Sequence, residues 1–515
     1  MRRTHPEYHL QQGILSPFAV TMKIYPRANE NRIATSDPAI RPIWKNFIKA
    51  AGINFLMLQV LFLGLFSYMF GSLFQQGSHV HNLKVLFVDY DGGIIGSSVR
   101  DAYTALQGNG FPTLIEQAAT EFSTPDDLEV EVCRANYWAA VYVFPAASGR
   151  LQAALSGDTT YNNSEALAYI WNEARYPTIS DSLVVQNIQT LFSAARVVFT
   201  SNETEARRVH SANTSTAISV FANPWQPVSL NIMPTTQGSR VVYNTIVIIL
   251  ILLQEFFYLG TINGLYQRFD FYRRFPPRQI ILYRFCISAA YTFVGSLCTS
   301  GAIWAFRDGW GVNSNQFALT WAILWLFAHI NFLTFDVFTV WLPLLYVPMS
   351  LVTWVIFNIT SILLPFDLIP YFYRGSYAMP ANQVYRTLTD IWSGGCYPQL
   401  HLSLPILFSL EIVALSLSSL GIYRRCHYAV LAGEAQQKAF REKLDAALIS
   451  EREQNKETQN EALPAEAGSA QDTEERGEIK LSEVSRGDDE TLRQNQTRSS
   501  QFGPCFDVVL TNSPN

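Results

Sequence analysis

The chain has 515 residues, 49% hydrophobic and 13% aromatic but only 15% charged, with a formal net charge of −5. Soluble domains carry about 25% charged residues, so a run of ordinary soluble domains is excluded, and the near balance of Lys/Arg and Asp/Glu gives no basis for nucleic-acid binding. The mean hydropathy of +0.08 averages unlike parts, because from Leu431 onward ten Lys/Arg stand against 17 Asp/Glu while the preceding residues hold 27 and 25.

Residues 1–49 carry eight Lys/Arg and read as a cytoplasmic N-terminal segment. No formal charge falls between Lys49 and Lys84. The apolar centre of that gap, Ile53–Phe74, satisfies the roughly 20 residues that a bilayer requires. Residues 50–74 are therefore assigned to a first transmembrane helix acting as a signal anchor. Residues 78–240 follow as an extracytoplasmic α/β domain. Asn82–Tyr90 is an apolar, β-branched strand that ends at the turn Asp91-Gly92-Gly93. Gly96–Leu106 reads as a helix, Trp138–Phe144 as a second strand stopped by Pro145, and Ser148 as the cap of a helix to Leu155. Ser180–Thr200 carries Leu183, Val184, Ile188, Leu191 and Val198 at helical spacing. Val228–Met233 returns the chain towards the membrane as a strand.

Residues 241–428 are assigned to a five-helix transmembrane domain. Its spans are Val241–Leu265, Phe285–Phe306, Phe317–Phe335, Thr339–Leu364 and Leu402–Tyr423, with Asp336 expected at the turn between the third and fourth of these. Pro343, Pro348 and Pro365 are expected to kink or end the Thr339–Leu364 span. Residues 366–400 read as a re-entrant or interfacial segment, whose Phe366, Tyr371, Phe372, Tyr373, Tyr377 and Trp392 suit an interfacial layer. Residues 429–515 read as a largely disordered, acidic cytoplasmic tail, with an amphipathic helix over Ala432–Ser450. Solvated filler is the expectation for it, regulatory phosphosites the alternative. The fold class is thus an α-helical polytopic membrane protein with six transmembrane helices and an α/β extracytoplasmic domain inserted between helices 1 and 2.

Orientation follows the positive-inside rule. The N-terminal segment, the connection with Arg268, Arg273, Arg274, Arg278 and Arg284, and the pair Arg424–Arg425 are rich in cations; the opposite connections hold Arg307, Arg374 and Arg386. Both termini are expected in the cytoplasm. Asn-x-Ser/Thr sequons at Asn162, Asn202 and Asn213 cluster in the segment placed outside and are N-glycosylation candidates. Two more, at Asn358 and Asn495, fall in a span and in the tail, where glycosylation is not expected. Cys133 and Cys396 share a side of the membrane; free thiols are expected and a bridge between them is the alternative.

No Gly-Lys-Ser/Thr phosphate loop, Gly-x-Ser-x-Gly, His-Glu-x-x-His or paired Cys-x-x-Cys pattern occurs, so no catalytic set, cofactor or metal site is expected. His79 and His81 read as interfacial polar residues, and Asp89 and Asp91 as turn caps in preference to a cation site. The remaining candidates are polar groups inside apolar spans, where charge is costly and marks a pathway or a partner. They are Glu255 beside Gln254, then Glu411, then the pair His329 and Asn331. Each carboxyl either packs two helices as a neutral, hydrogen-bonded group or lines a substrate route.

The pieces FNIT, PFDL, YAMPA and IWSGGC between Leu351 and Cys396, and NLKVLFVDYDGGIIGSSV at Asn82–Val99, resemble the fungal nitrosoguanidine-resistance membrane-protein family over about residues 45 to 428. More distantly, the layout of one span, a large outer domain and five spans resembles permeases of type-2 ABC exporters, as does the strand–Phe-Pro–Ser-x-x-Leu pattern at Val141–Leu151. This chain departs from those permeases in carrying no fused nucleotide-binding domain. The resemblance implies a plasma-membrane or secretory-pathway protein linked to resistance to toxic compounds, without supplying a transported substrate. The permease-like layout, with carboxyls in the second and sixth spans, suggests an export-type protein for drugs or phospholipids. A non-transporting membrane organiser or stress-response regulator is the alternative. Membrane lipids are the implied partners, with a separate ATP-binding subunit or a homodimer to complete an exporter.

Overall fold

The structure, a computed structural model, describes residues 38, 40–234, 246–307 and 310–461, without the side chains of 344 and 455–461. Most of the N-terminal segment, the start of the second expected span (241–245) and the tail from 462, with its sequon at Asn495, lie outside the described residues. Two compact units divide the chain, Met1–Phe66 and Ser67–Asn515. Helix α1 (Ile40–Ser72) is the regular element described in the first and ends inside the second. Its 33 residues span about 50 Å at 1.5 Å per residue.

A small mixed sheet follows, with strands β1 (Lys84–Asp89), β2 (Thr113–Gln117), β3 (Ala139–Val143), β4 (Leu167–Trp171) and β5 (Val228–Asn231) in the order β2-β1-β3-β4-β5. Only the β3–β4 pair is antiparallel. Between the strands lie α2 (Ile94–Leu106), α3 (Pro125–Cys133), α4 (Ala147–Leu155), α5 (Gln186–Thr200), α6 (Glu203–Ala212) and α7 (Ser215–Ala222). Strand side chains alternate between two cores. Val85, Phe87, Val141, Val143, Leu167 and Tyr169 meet α2, α4 and α5 on one face. Leu86, Val88, Ala140, Tyr142 and Ile170 meet Leu128 and Val132 of α3 on the other. Cover on both faces explains why β3 and β4 are apolar at every position.

The turns at the C-terminal ends of β1 and β3 satisfy each other. Asp89 accepts from the amides of Asp91 and Gly92 at 3.1 and 2.9 Å and from Arg100 at 2.8 Å. Both acids therefore act as turn caps: the Asp91 carboxylate accepts from the Ser148 amide at 3.1 Å. Ser148, expected to cap its own helix, instead accepts from the Ile95 amide in the first turn of α2 at 3.1 Å. It lies inside α4, whose N-cap is Ala146, so its hydroxyl faces the neighbouring helix start. His79 and His81 bond carbonyl oxygens of their own turn, those of Gln75 and Ser78.

The helical part comprises α8 (Val247–Arg268), a short turn Phe271–Arg274, α9 (Pro277–Ala305), α10 (Ser314–Trp341), α11 (Val347–Leu363), α12 (Pro380–Trp392) and α13 (Leu400–Glu461). Among the described residues five helices (α1, α8, α9, α10 and α13) are long and apolar enough to cross a membrane, and α11, at 17 residues, is a shorter apolar helix. The centre is α10, with 72% of its most apolar stretch buried. The break expected at Asp336 lies instead at Leu342, which is extended before Pro343, as the residue preceding a proline avoids helical geometry. Nor is the expected Ala432–Ser450 helix separate: α13 runs unbroken for 62 residues.

Two further expectations are corrected where the sheet meets the segment after α11. Cys133 and Cys396, expected as free thiols, form a disulfide with Cα atoms 5.5 Å apart, a spacing that suits a bridge. The end of α3 reaches Cys396 because Gly394 and Gly395, at φ 76° and 86°, turn the chain sharply after α12. Of the aromatic residues expected to form an interfacial layer, Tyr371 and Phe372 are largely exposed, whereas α12 is buried from Pro380 to Trp392 apart from a partly buried Arg386. Its neighbours explain this. The Tyr385 hydroxyl accepts from the Tyr176 amide at 2.8 Å, Asn172 donates to Ser393 at 2.8 Å, and the Trp138 indole donates to Asp367 at 3.2 Å. Arg175 stacks 3.7 Å over Trp138, and Leu364, Leu368 and Ile369 join the core of the sheet.

Candidate functional site

The sequence places Arg284 and Arg425 beside apolar runs and Asp336 between two of them, and the structure brings all three together. Asp336, fully buried at 0% exposure, accepts from Arg284 at 2.6 Å and from Arg425 at 3.0 Å through one oxygen, and from Ser418 at 2.5 Å through the other. Asn263 at the end of α8 accepts from both arginines, at 2.7 and 3.2 Å. Arg425 also donates to Thr339 at 2.7 Å and to the Tyr272 hydroxyl at 2.9 Å. Removing such ions from water costs several kcal/mol each, and the cost is offset only when geometry and extra hydrogen bonds satisfy them. Here two cations share one anion, and neutral oxygens take up further donors, leaving Arg284 Nε buried without a partner among the described residues.

A second cluster lies one heptad along the same helices. His329 is seven residues before Asp336 on α10, and Glu411 seven before Ser418 on α13, a separation of about 10 Å along each axis. His329 Nδ1 is 2.5 Å from Glu411 Oε1, and its Nε2 is 3.2 Å from the Ser288 hydroxyl. Ser288 follows Arg284 by one turn on α9. The same helix continues the polar row with Thr292, Ser296 and Ser300, all at most 1% exposed. Spacing by four residues keeps them on one inclined ridge. Between the clusters lies a cavity of about 10 Å³ lined by Arg284, Ser288, Phe332, Leu415 and Ser418, about the room one water needs. The three helices thus enclose a polar lane within otherwise apolar packing.

The other expected residues stand apart from this lane. Asn331 faces away from His329: it accepts from the Trp354 indole at 2.8 Å and donates to the Phe327 carbonyl at 2.7 Å, fastening α11 to α10. Glu255 is 1% exposed, and neither carboxyl oxygen has a hydrogen-bond partner among the described residues. Gln254 packs its amide onto Gly295 of α9, where a Cβ would collide with it. The sequon residues Asn162, Asn202 and Asn213 are exposed. Asn162 and Asn202 cap turns through the amides of Ser164 and Thr204. Among the described residues no group of three or more His, Cys, Asp or Glu is placed to hold a metal ion.

Sequence reasoning found His329 and Glu411 but missed Arg284, Ser288, Asp336, Ser418 and Arg425. One signal was present. With alternating helix directions, the start of α9 and the ends of the apolar stretches of α10 and α13 fall at the same end of the bundle, so one acid and two arginines there imply pairing. A family model described as "Protein of unknown function (DUF3533)" matches residues 54–416, a stretch that holds the sheet, α8 to α12 and the His329–Glu411 pair. No curated protein matches the chain.

Proposed function

We infer for this chain, which belongs to the family described as "Protein of unknown function (DUF3533)", the role of an export-type membrane protein that moves a drug-like amphipath or a phospholipid towards the outer leaflet. The observation that carries this reading is the lane itself. Two clusters of buried charge, joined through Ser288 and a small cavity, run along three helices that are apolar enough to cross a bilayer. Packing alone would be served as well or better by apolar side chains, and ionisable groups at such depth face pathways and partners.

In this reading α11, with the end of α10, completes a sixth crossing, and both termini are cytoplasmic. The sheet lies outside, in a plasma-membrane or secretory-pathway membrane. The disulfide Cys133–Cys396 supports an oxidising compartment for the sheet, and the exposed sequon residues Asn162, Asn202 and Asn213 suit the same side. A separate ATP-binding subunit or a second copy of the chain would complete the exporter. The alternative, a membrane organiser, is favoured by α13, which extends well past its apolar stretch with nearly all side chains exposed from Arg441 to Gln454.

The test is reconstitution of the full chain into liposomes with a fluorescent phospholipid or an amphipathic dye, with and without proteins that co-purify in mild detergent. Wild type is expected to change the leaflet distribution of the probe, and Glu411→Gln to slow that change. Unchanged distribution for wild type, with every co-purifying ATPase present, would overturn the reading in favour of the organiser.

A further inference from the structure

We propose that the His329–Glu411 pair, together with Ser288, is a one-proton site that loads and unloads through the Ser288 hydroxyl. The inference deepens the transport reading by naming the ion the lane handles, and it rests on that reading for its use, though not for its chemistry.

The argument is a count of hydrogens. Ser288 has one hydroxyl hydrogen and two possible acceptors, the Phe285 carbonyl at 3.0 Å and His329 Nε2 at 3.2 Å. If it donates to Phe285, then Nε2 must carry a hydrogen of its own and donate it to the serine oxygen. The 2.5 Å contact between Nδ1 and Glu411 Oε1 needs a second hydrogen. The pair then holds two hydrogens and is neutral overall. If the hydroxyl turns to donate to Nε2, the pair holds only the hydrogen shared with Glu411 and carries one negative charge. The two states differ by one proton and one hydroxyl rotation, and no heavy atom has to move. The released proton passes to water reaching the lane from the cavity that Ser288 shares with Arg284 and Ser418.

The surroundings leave both states accessible. Glu411 Oε2 has no partner among the described residues, so the histidine is the one group bonded to that carboxylate. Arg284, Asp336 and Arg425, one heptad away, sum to a single positive charge. The other ionisable groups on the packed helices are Glu255, Tyr258, Tyr266 and Arg268 on α8, Arg278, Tyr283, Cys286, Tyr291 and Cys298 on α9, Tyr385, Arg386 and Asp390 on α12, and His401 with the groups from Tyr423 onward on α13. Helix α11 carries none. Loading the site changes the net charge of the lane from zero to plus one, which is the change a proton-driven opening of the lane requires.

The test uses the full chain in lipid bilayers, with histidine rings labelled for nitrogen NMR and scanned across about pH 5 to 8, the range in which imidazoles ordinarily titrate. One ring, assigned by its loss in His329→Gln, is expected to exchange a single proton, and Ser288→Ala to slow that exchange at least about tenfold. Where the histidine variant fails to fold, infrared difference spectra read the same proton at the carboxyl, with Glu411→Gln removing its signal. A ring that keeps the same hydrogens throughout, in a folded protein, overturns the site; an exchange rate unchanged in Ser288→Ala overturns the hydroxyl route. Proton exchange without movement of any lipid or dye in liposomes would sink the transport reading and leave this site standing. Movement with a silent ring would do the reverse.

Discussion

In the sheet domain, Asp89 and Asp91 find their partners in their own turn or in the turn beside it: backbone amides of Asp91, Gly92 and Ser148, and one arginine from the following helix. In the bundle, Asp336 is held by Arg284, Ser418 and Arg425, which lie 52, 82 and 89 residues away in sequence. Among the described residues, the buried carboxyl oxygens without a hydrogen-bond partner, two on Glu255 and one on Glu411, also all belong to the bundle. Asp89 and Asp91 are thus fixed largely by backbone amides, one of them 57 residues away across the paired turns, as a rigid scaffold needs. Acids in the bundle are held by long side chains that could be exchanged for other partners, or by nothing but packing. The difference separates charge that builds a fold from charge that can respond.

The largest effect expected on either side is from Asp336→Ala. It leaves Arg284 and Arg425 buried without their anion, and breaking a buried pair in this way costs about 3–5 kcal/mol. Full-length protein in detergent should lose much of its thermal stability, with Asp336→Asn falling between, since it keeps hydrogen-bonding capacity but not charge. A loss of less than about 1 kcal/mol, the range of a solvated surface pair, would mean that water reaches the cluster and that the two regions do not differ in kind.

The same contrast decides what could be read from the sequence. β1 and β3 were legible because runs such as Val85-Leu86-Phe87-Val88 and Val141-Tyr142-Val143 are apolar throughout, and both are covered on two faces. β2 was not, because Thr113–Gln117 is an edge strand whose side chains are half-buried or exposed, so it lacks a hydrophobic pattern. β4 matches β3 in length and burial, so its apolar run Leu167–Trp171 carried the same signal and went unread. The start of α3 carried a readable signal, a capping box between Thr124 and Asp127, that went unused. In the bundle, Glu255 and Glu411 stood out as acids inside apolar runs. Asp336 did not, because a charge at the edge of a run has the default reading of a residue reaching for water. Pairings between side chains of separate helices depend on how the helices dock, and periodicity in one helix does not encode that.

A sharper probe of the local mode is Gly96→Ala. A methyl group at Gly96 would overlap the Asp89 carboxylate, which would have to leave the amides and Arg100 that hold it. Overpacking of this kind costs about 1–3 kcal/mol. Gly149→Ala in α4 is the matched control, since nothing lies within 4 Å of the added methyl and an exposed helical glycine gains about 0.5–1 kcal/mol on becoming alanine. Opposite signs in thermal melts of the two full-length variants would show that Asp89 is held as tightly as the local mode implies. Equal effects would show that the turn simply gives way.

The smallest effect is expected where the sheet domain departs from its own pattern. The Tyr90 hydroxyl is buried without a hydrogen-bond partner among the described residues, and burial, with Asp127 and Tyr142 adding to it, pushes its phenol up to about 12. An unfolded tyrosine ionises near pH 10, so between about pH 10 and 12 the unfolded chain binds fewer protons than the folded one. Stability from this group is therefore complete below about pH 10 and falls as pH rises towards 12. Tyr90→Phe removes that slope and deletes an unpaired hydroxyl, so at neutral pH it should be neutral or slightly stabilising. Melting curves of wild type and Tyr90→Phe should coincide or favour the variant at neutral pH, then separate as the solution becomes alkaline. Parallel curves at every pH would place the hydroxyl in contact with solvent.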